Sequence, residues 1–181
     1  MQTEETPGLS LLAVTAADIP DLLALIRELA EFERLLHEVV ATEALLAEAL
    51  FGPERNVEAI IARQGEVPVG FALWFHNFST FVGRRGLYLE DLYIRPEYRG
   101  RGYGKALLSR LARLAVERGC GRMEWAVLDW NVRAEGFYRG LGAEPKSEWS
   151  IFRLAGAALE ALASSNPAPA AKGQHTGQGD A

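Results

Sequence analysis

Residues 87–108, LYLEDLYIRPEYRGRGYGKALL, run an apolar strand through an arginine–glycine turn straight into an amphipathic helix. That order constrains the fold more than any other stretch of the chain. Glycines let a backbone aim its N–H groups outward, and a helix N-terminus carries partial positive charge, so strand, glycine turn and helix together make an anion site. A phosphate or pyrophosphate is the expected ligand. A Walker A loop needs a glycine five positions before its Gly-Lys pair and Ser or Thr after it. Arg99 and Ala106 stand at those places. A dinucleotide fingerprint needs G-x-G-x-x-G, and counting from Gly100 and Gly102 its third glycine falls on Lys105. The pattern that remains is Arg-x-x-Gly-x-Gly, met by Arg99, Gly102 and Gly104.

At 181 residues the chain is long enough for one domain with a real core. A hydrophobic content of 49% excludes wholesale disorder. The net charge of −5 argues against nucleic acid as the main partner and suits a cationic small molecule. Cys120 is the only cysteine, which excludes an internal disulfide and fits a reducing cytoplasm. His37, His76 and His175 lack metal-ligand spacing, so no metal is expected. No apolar run reaches the roughly 18–20 residues of a membrane span, and residues 1–8 read as a flexible, acidic start rather than a signal peptide. Residues 164–181 are rich in Pro, Ala, Gly, Ser and Gln and read as a disordered tail.

Periodicity predicts strands at 9–14, 57–63, 67–77, 87–95, 123–128 and 147–154. Helices are predicted over about 18–33, 42–51, 103–118, 132–141 and 156–163, with Asp18 and Asn131 as caps. The first helix carries Leu22, Leu25, Ile26 and Leu29 on one stripe, and the next step of four reaches Glu33. A carboxylate on an apolar stripe is either a ligand group or a frayed end in water. Hairpins mixed with a strand–helix–strand crossover imply a mixed α/β sheet. Glu90 and Asp91 are consecutive in a strand and should point to opposite faces.

The loop resembles the acetyl-CoA loop of the GNAT superfamily of N-acetyltransferases. A second block, from Asn131 through Ala134, Phe137 and Tyr138 to Gly142, is similar to that superfamily's N-x-x-A-x-x-F-Y-x-x-x-G segment. IRELAEFE (26–33), YLEDLYI (88–94), YRGRGYG (98–104) and LDWNVRAEGFYRGLGA (128–143) resemble the diamine (spermidine/spermine) and thialysine acetyltransferases, in the same order. The resemblance covers about residues 9–162. It implies one domain over 9–163 with a mostly antiparallel sheet, splayed between strands 4 and 5 where the pantetheine arm enters.

By the same resemblance, acetyl-CoA is the cosubstrate. It is held by Leu92, Tyr93 and Ile94, by Arg99, Gly100, Arg101, Gly102, Tyr103, Gly104 and Lys105, and by Asn131, Ala134 and Tyr138. Tyr138 is the implied general acid, since a phenol is protonated at neutral pH and can donate to a leaving sulfur; its helical spacing also suits a core residue. Glu90 is the implied base or charge partner of the acceptor amine, and Asp91 reads as structural. Glu33, Glu90 and, approximately, Glu148 match acidic positions of the amine site. Trp125 and Trp149 offer aromatic faces for an alkylammonium group. Gly140 stands where a basic residue near the CoA phosphates is usual, leaving Arg139 or Arg101 to compensate, and the loop GAEPKSEW is short. The expectation is direct acetyl transfer to the primary amine of a polyamine or lysine-like acceptor, in a homodimer joined through 150–163. A non-catalytic acyl-CoA sensor and an acetyltransferase of protein amines remain as alternatives.

Overall fold

The computed structural model describes residues 8–165. These fall into two compact units that divide between Asn131 and Val132. Expectations for residues 1–7 and 166–181 lie outside the described residues.

The first unit is built on a five-stranded sheet in the order β1-β2-β3-β4-β5. The strands are β1 (Leu9–Ala13), β2 (Glu58–Gln64), β3 (Val67–Ser79), β4 (Arg84–Ile94) and β5 (Met123–Trp125). The first three pairings are antiparallel, and β4 pairs with β5 in parallel. Helix α1 (Ile19–Phe32) and helix α2 (Glu43–Phe51) connect β1 to β2, and helix α3 (Tyr103–Glu117) makes the crossover from β4 to β5. Parallel neighbours need such a crossover, and the strand–glycine turn–helix block supplies it.

The stripe on α1 behaves as its spacing requires. Leu22, Leu25 and Leu29 are buried against Ala59, Ile61, Phe71, Leu73 and Tyr93 of the sheet. Each such leucine contributes about 1.5–3 kcal/mol by leaving water. Glu58 alternates with Ala59, so it stands on the other face, and there it pairs bidentately with Arg118 at the end of α3. Helices α1 and α3 therefore cover opposite faces. Pro20 lies in the first turn of α1, where its missing N–H costs nothing. Asp18 precedes that helix as expected, but its carboxylate accepts from Thr15 N at 2.9 Å and from Arg63 Nη2 at 2.7 Å instead of capping α1. Thr42 Oγ1 caps α2, accepting from Leu45 N.

The fourth and fifth strands differ from expectation, the fourth beginning at Arg84 rather than Leu87. The fifth ends at Trp125, not Leu128. Its pairing with β4 covers only Leu87–Met123, Tyr88–Glu124 and Leu89–Trp125, while β4 continues to Ile94. The pairing thus stops at Leu89, leaving the last five residues of β4 without a β5 partner where the splay is expected. Gly70 sits where β3 and β4 press closest: a Cβ there would collide with the Tyr93 carbonyl.

The second unit holds α4 (Val132–Gly140) and α5 (Gly156–Ser164). The strand expected at 147–154 is not formed; that segment is turn and coil with Trp149, Ile151 and Phe152 exposed. A strand exists only when another edge takes its N–H and C=O groups, and among the described residues none pairs with it. Among the described residues no helix is long and apolar enough to cross a membrane.

Candidate active site

A β-bulge organises the acidic side of the site. Trp74 pairs with Leu89 and Leu73 with Asp91, which leaves Glu90 as the extra residue of β4. A bulge breaks the alternation of a strand and re-aims side chains. The expectation that Glu90 and Asp91 take opposite faces therefore fails. Glu90 is exposed and lines an open cleft of about 540 Å³ with Asn56, Val57, Leu73, Phe75 and His76. Asp91, opposite Leu73, is half-buried, and its pKa is pushed up to about 6 by burial first, then by the charges of Glu90 and Glu33. Glu33 is the C-cap of α1, half-buried, its pKa raised by burial. It is not a frayed end in water. The helix stops in a Schellman turn: Leu35 N donates to Ala30 O at 2.7 Å and Arg34 N to Glu31 O at 3.0 Å, with Arg34 at φ 63°. Glu90 thus lines an open cleft, and Asp91 next to it feels the charges of both Glu90 and Glu33. Self-repulsion of this kind is relieved by a cation.

The splay presents backbone donors. Arg95 N donates to Val69 O at 2.9 Å, so the N–H of Tyr93 also points toward β3. By the same alternation the N–H groups of Leu92 and Ile94 point toward β5, beyond the last residue of β5 that pairs. Leu87 N, within the paired region, donates to Arg122 O at 3.0 Å on that same side. Leu92 and Ile94 therefore face the gap, whereas the Tyr93 side chain is buried in the core.

Past Ile94 a single turn at Pro96–Tyr98 leads to Gly100 at φ 78° and Gly102 at φ 82°. Both lie in the left-handed region that glycine tolerates, with open space where a Cβ would stand. Tyr103 opens α3, so the N–H groups of Tyr103, Gly104 and Lys105 belong to the first turn, which has no intrahelical acceptors for them. Lys105 and Arg101 are exposed beside this turn, and Arg101 Nη2 donates to Glu97 O at 3.0 Å. The ring of Tyr103 is buried, so only its backbone is on offer. Arg99, expected among the cofactor-binding residues, donates through Nε to Ile94 O at 2.8 Å, and its guanidinium lies over the Phe32 and Tyr93 rings.

Trp125 closes β5, half-buried opposite Leu89. Asn131 N donates to Leu128 O at 2.8 Å. In the second unit Ala134 and Tyr138 lie on α4, both half-buried, and the Tyr138 ring is 5.4 Å from Phe137. Arg139 is held by Glu135 at 2.7 Å, which occupies one of the two arginines expected to compensate for Gly140. Glu148 is exposed in a turn. Among the described residues no group of His, Cys, Asp or Glu could hold a metal ion. Sequence reasoning missed the shifted titration of Asp91 and the place of Phe32; the second had no signal beyond its position before Glu33.

Residues 22–143 match the acetyltransferase (GNAT) family, across the boundary between the two units. The chain is 40% identical over 157 residues to the thialysine N-epsilon-acetyltransferase of Bos taurus, covering 81% of this chain and 92% of that one. It is 34% identical over 193 residues to the L-ornithine N5-acetyltransferase NATA1 of Arabidopsis thaliana, covering 82% and 85%. An integron cassette protein from the mobile metagenome of V. cholerae superposes with a TM-score of 0.74 at 28% identity, over 87% of this chain and 99% of that one. An aminoglycoside N-acetyltransferase in complex with CoA shares the fold, with a TM-score of 0.65 at 17% identity over 80% and 93% of the two chains. With its mixed five-stranded sheet, its glycine turn at the start of α3 and these relatives, the chain belongs to the GNAT family of acetyltransferases.

Proposed function

We propose that the protein transfers the acetyl group of acetyl-CoA directly to the primary amine of a small cationic acceptor, a polyamine or a lysine-like amino acid. The observation that carries this reading is the bulge at Glu90, which leaves Glu90 lining an open cleft beside Asp91, whose carboxyl also feels the charge of Glu33. Relatives named for thialysine, ornithine and spermidine/spermine support the acceptor class. The fit of acetyl-CoA rests on the N–H groups of Leu92 and Ile94 facing the gap and on the left-handed glycines before α3. When bound, the thioester supplies the activated acetyl group. The chain's own residues do the rest. Backbone N–H groups of the 99–105 turn, with Lys105 and Arg101, bind phosphate. Those of Leu92 and Ile94 orient amide and carbonyl oxygens. Glu90 holds the acceptor ammonium and takes its proton directly or through water, with Glu33 and Asp91 adding negative field. Tyr138 holds the proton that a leaving sulfur needs, an assignment carried by the Asn131–Gly142 motif.

One catalytic domain over residues 9–163 and a cytoplasmic location belong to the same reading, the first supported by a family match that crosses Asn131–Val132 and the second by the single cysteine. So does a homodimer: Trp149, Ile151, Phe152, Leu154, Leu159 and Leu162 are all exposed, and an apolar segment without a partner edge tends to find one. The test of function is CoA release from acetyl-CoA across spermidine, putrescine, thialysine, ornithine, aminoglycosides and a basic peptide. Release with the small alkylamines is expected; release with the peptide alone would move the reading to protein acetylation.

A further inference from the structure

Phe32, the last residue of α1, sits at the centre of an aromatic–cation stack. The Arg99 guanidinium carbon lies 4.6 Å from the Phe32 ring centroid. Trp130 meets the same ring at 5.7 Å and 56°. On its other side Arg99 is 5.6 Å from the Tyr93 ring and donates to the Ile94 carbonyl at 2.8 Å. Three segments are joined here: the end of α1, the turn that opens α3, and the stretch after β5. Core packing does not explain it, because Phe32 is 37% and Trp130 53% exposed. Two large rings stay partly in water, Trp130 against Phe32 and Phe32 against a cation that also donates a hydrogen bond to the backbone of β4. A guanidinium can do this because its planar face stacks while its edge donates.

The stack has two chemical consequences. The Nε and the planar face of Arg99 are engaged here, and through them Arg99 holds the turn against α1. Glu33 follows Phe32 directly and closes α1 through the Schellman turn, so the position of Phe32 sets the position of the Glu33 carboxyl. We propose that Phe32 is a positioning residue that ties the 99–105 turn, through Arg99, to the acceptor-side carboxylate Glu33. Seating of the cofactor and recognition of the amine are thereby coupled through one ring. The inference rests on the reading of residues 99–105 as the acetyl-CoA turn.

The test combines a double-mutant cycle with a kinetic split. Calorimetry with CoA is run on wild type, F32L, R99K, F32L/R99K and F32Y. Leucine keeps apolar bulk without an aromatic face, and lysine keeps charge without a planar one, so none of these changes opens a large cavity. F32L and R99K are each expected to weaken CoA about five- to tenfold, the double variant no more than about twofold beyond the worse single, and F32Y is expected to bind like wild type. At saturating acetyl-CoA, F32L should also raise the amine KM severalfold, which a defect confined to the turn would not do. Effects that multiply in the double variant, or an F32L protein with wild-type CoA affinity and amine KM, would overturn the proposal. Gly102→Asp serves as the control for the underlying reading: if it too binds CoA like wild type, the acetyl-CoA turn itself is misassigned and the inference falls with it.

Discussion

Asp91 shows how a single residue can serve the site at the expense of the fold. Its pKa of about 6 lies above the usual carboxylate value because burial, Glu90 and Glu33 all disfavour the ionised form. The folded state therefore holds a proton that the unfolded chain has already lost between about pH 4 and pH 6. Stability contributed by this group falls as pH rises through that window and stays lost at neutral pH. Asp91→Asn should raise the melting temperature at pH 7–8 by an amount worth about 1 kcal/mol and have no such benefit below pH 4, which thermal melts across pH will show. The same substitution should raise the amine KM at neutral pH, because a cation then loses one of three negative partners. Glu90→Gln should lower amine turnover by at least about tenfold with acetyl-CoA affinity kept, and should shift the pH–rate profile; an unaltered profile would make Glu90 structural. Tyr138→Phe removes only a phenolic proton and is expected to cost about 10²–10⁴ in kcat with acetyl-CoA binding intact. Full activity in that variant would return Tyr138 to packing.

At the scale of elements, what periodicity encodes was legible and what depends on partners was not. The stripe of Leu22, Leu25 and Leu29 marks α1 because burial of that face is local to the helix. The hairpin of β2 and β3 and the glycine entry to α3 follow from turn chemistry that neighbours do not alter. The bulge at Glu90 is different. It is a mismatch in count between β3 and β4, and no pattern within β4 alone can declare it. For the same reason Asp91 reads as a structural acid, whereas its shifted titration comes first from burial and then from Glu90 and from Glu33 on another element. The stacking of Arg99 on Phe32 is likewise a tertiary contact that its glycine neighbours in sequence cannot announce. The segment 147–154 alternates like a strand, yet alternation supplies no edge to pair with. Gly102→Asp follows from this level too. At φ 82° an aspartate is strained, and its charge stands where phosphate approaches, so acetyl-CoA affinity should fall at least about tenfold by calorimetry.

For the whole molecule, the exposed apolar surface of residues 149–162 is the feature that a lone chain leaves unexplained. Truncation after Arg153 should then cost both dimerisation and activity, while truncation after Ala163 should cost neither; a monomeric mass by light scattering at micromolar concentration, with normal turnover, would contradict the dimer. The central claim, direct acetylation of a small cationic amine, is tested most directly by mass spectrometry of both the amine and the protein during turnover with acetyl-CoA. The expected result is an amine carrying one acetyl group, formed in step with CoA release, and a protein of unchanged mass. CoA bound without any acetylated amine would mark a sensor module, and acetyl accumulating on the protein would contradict direct transfer.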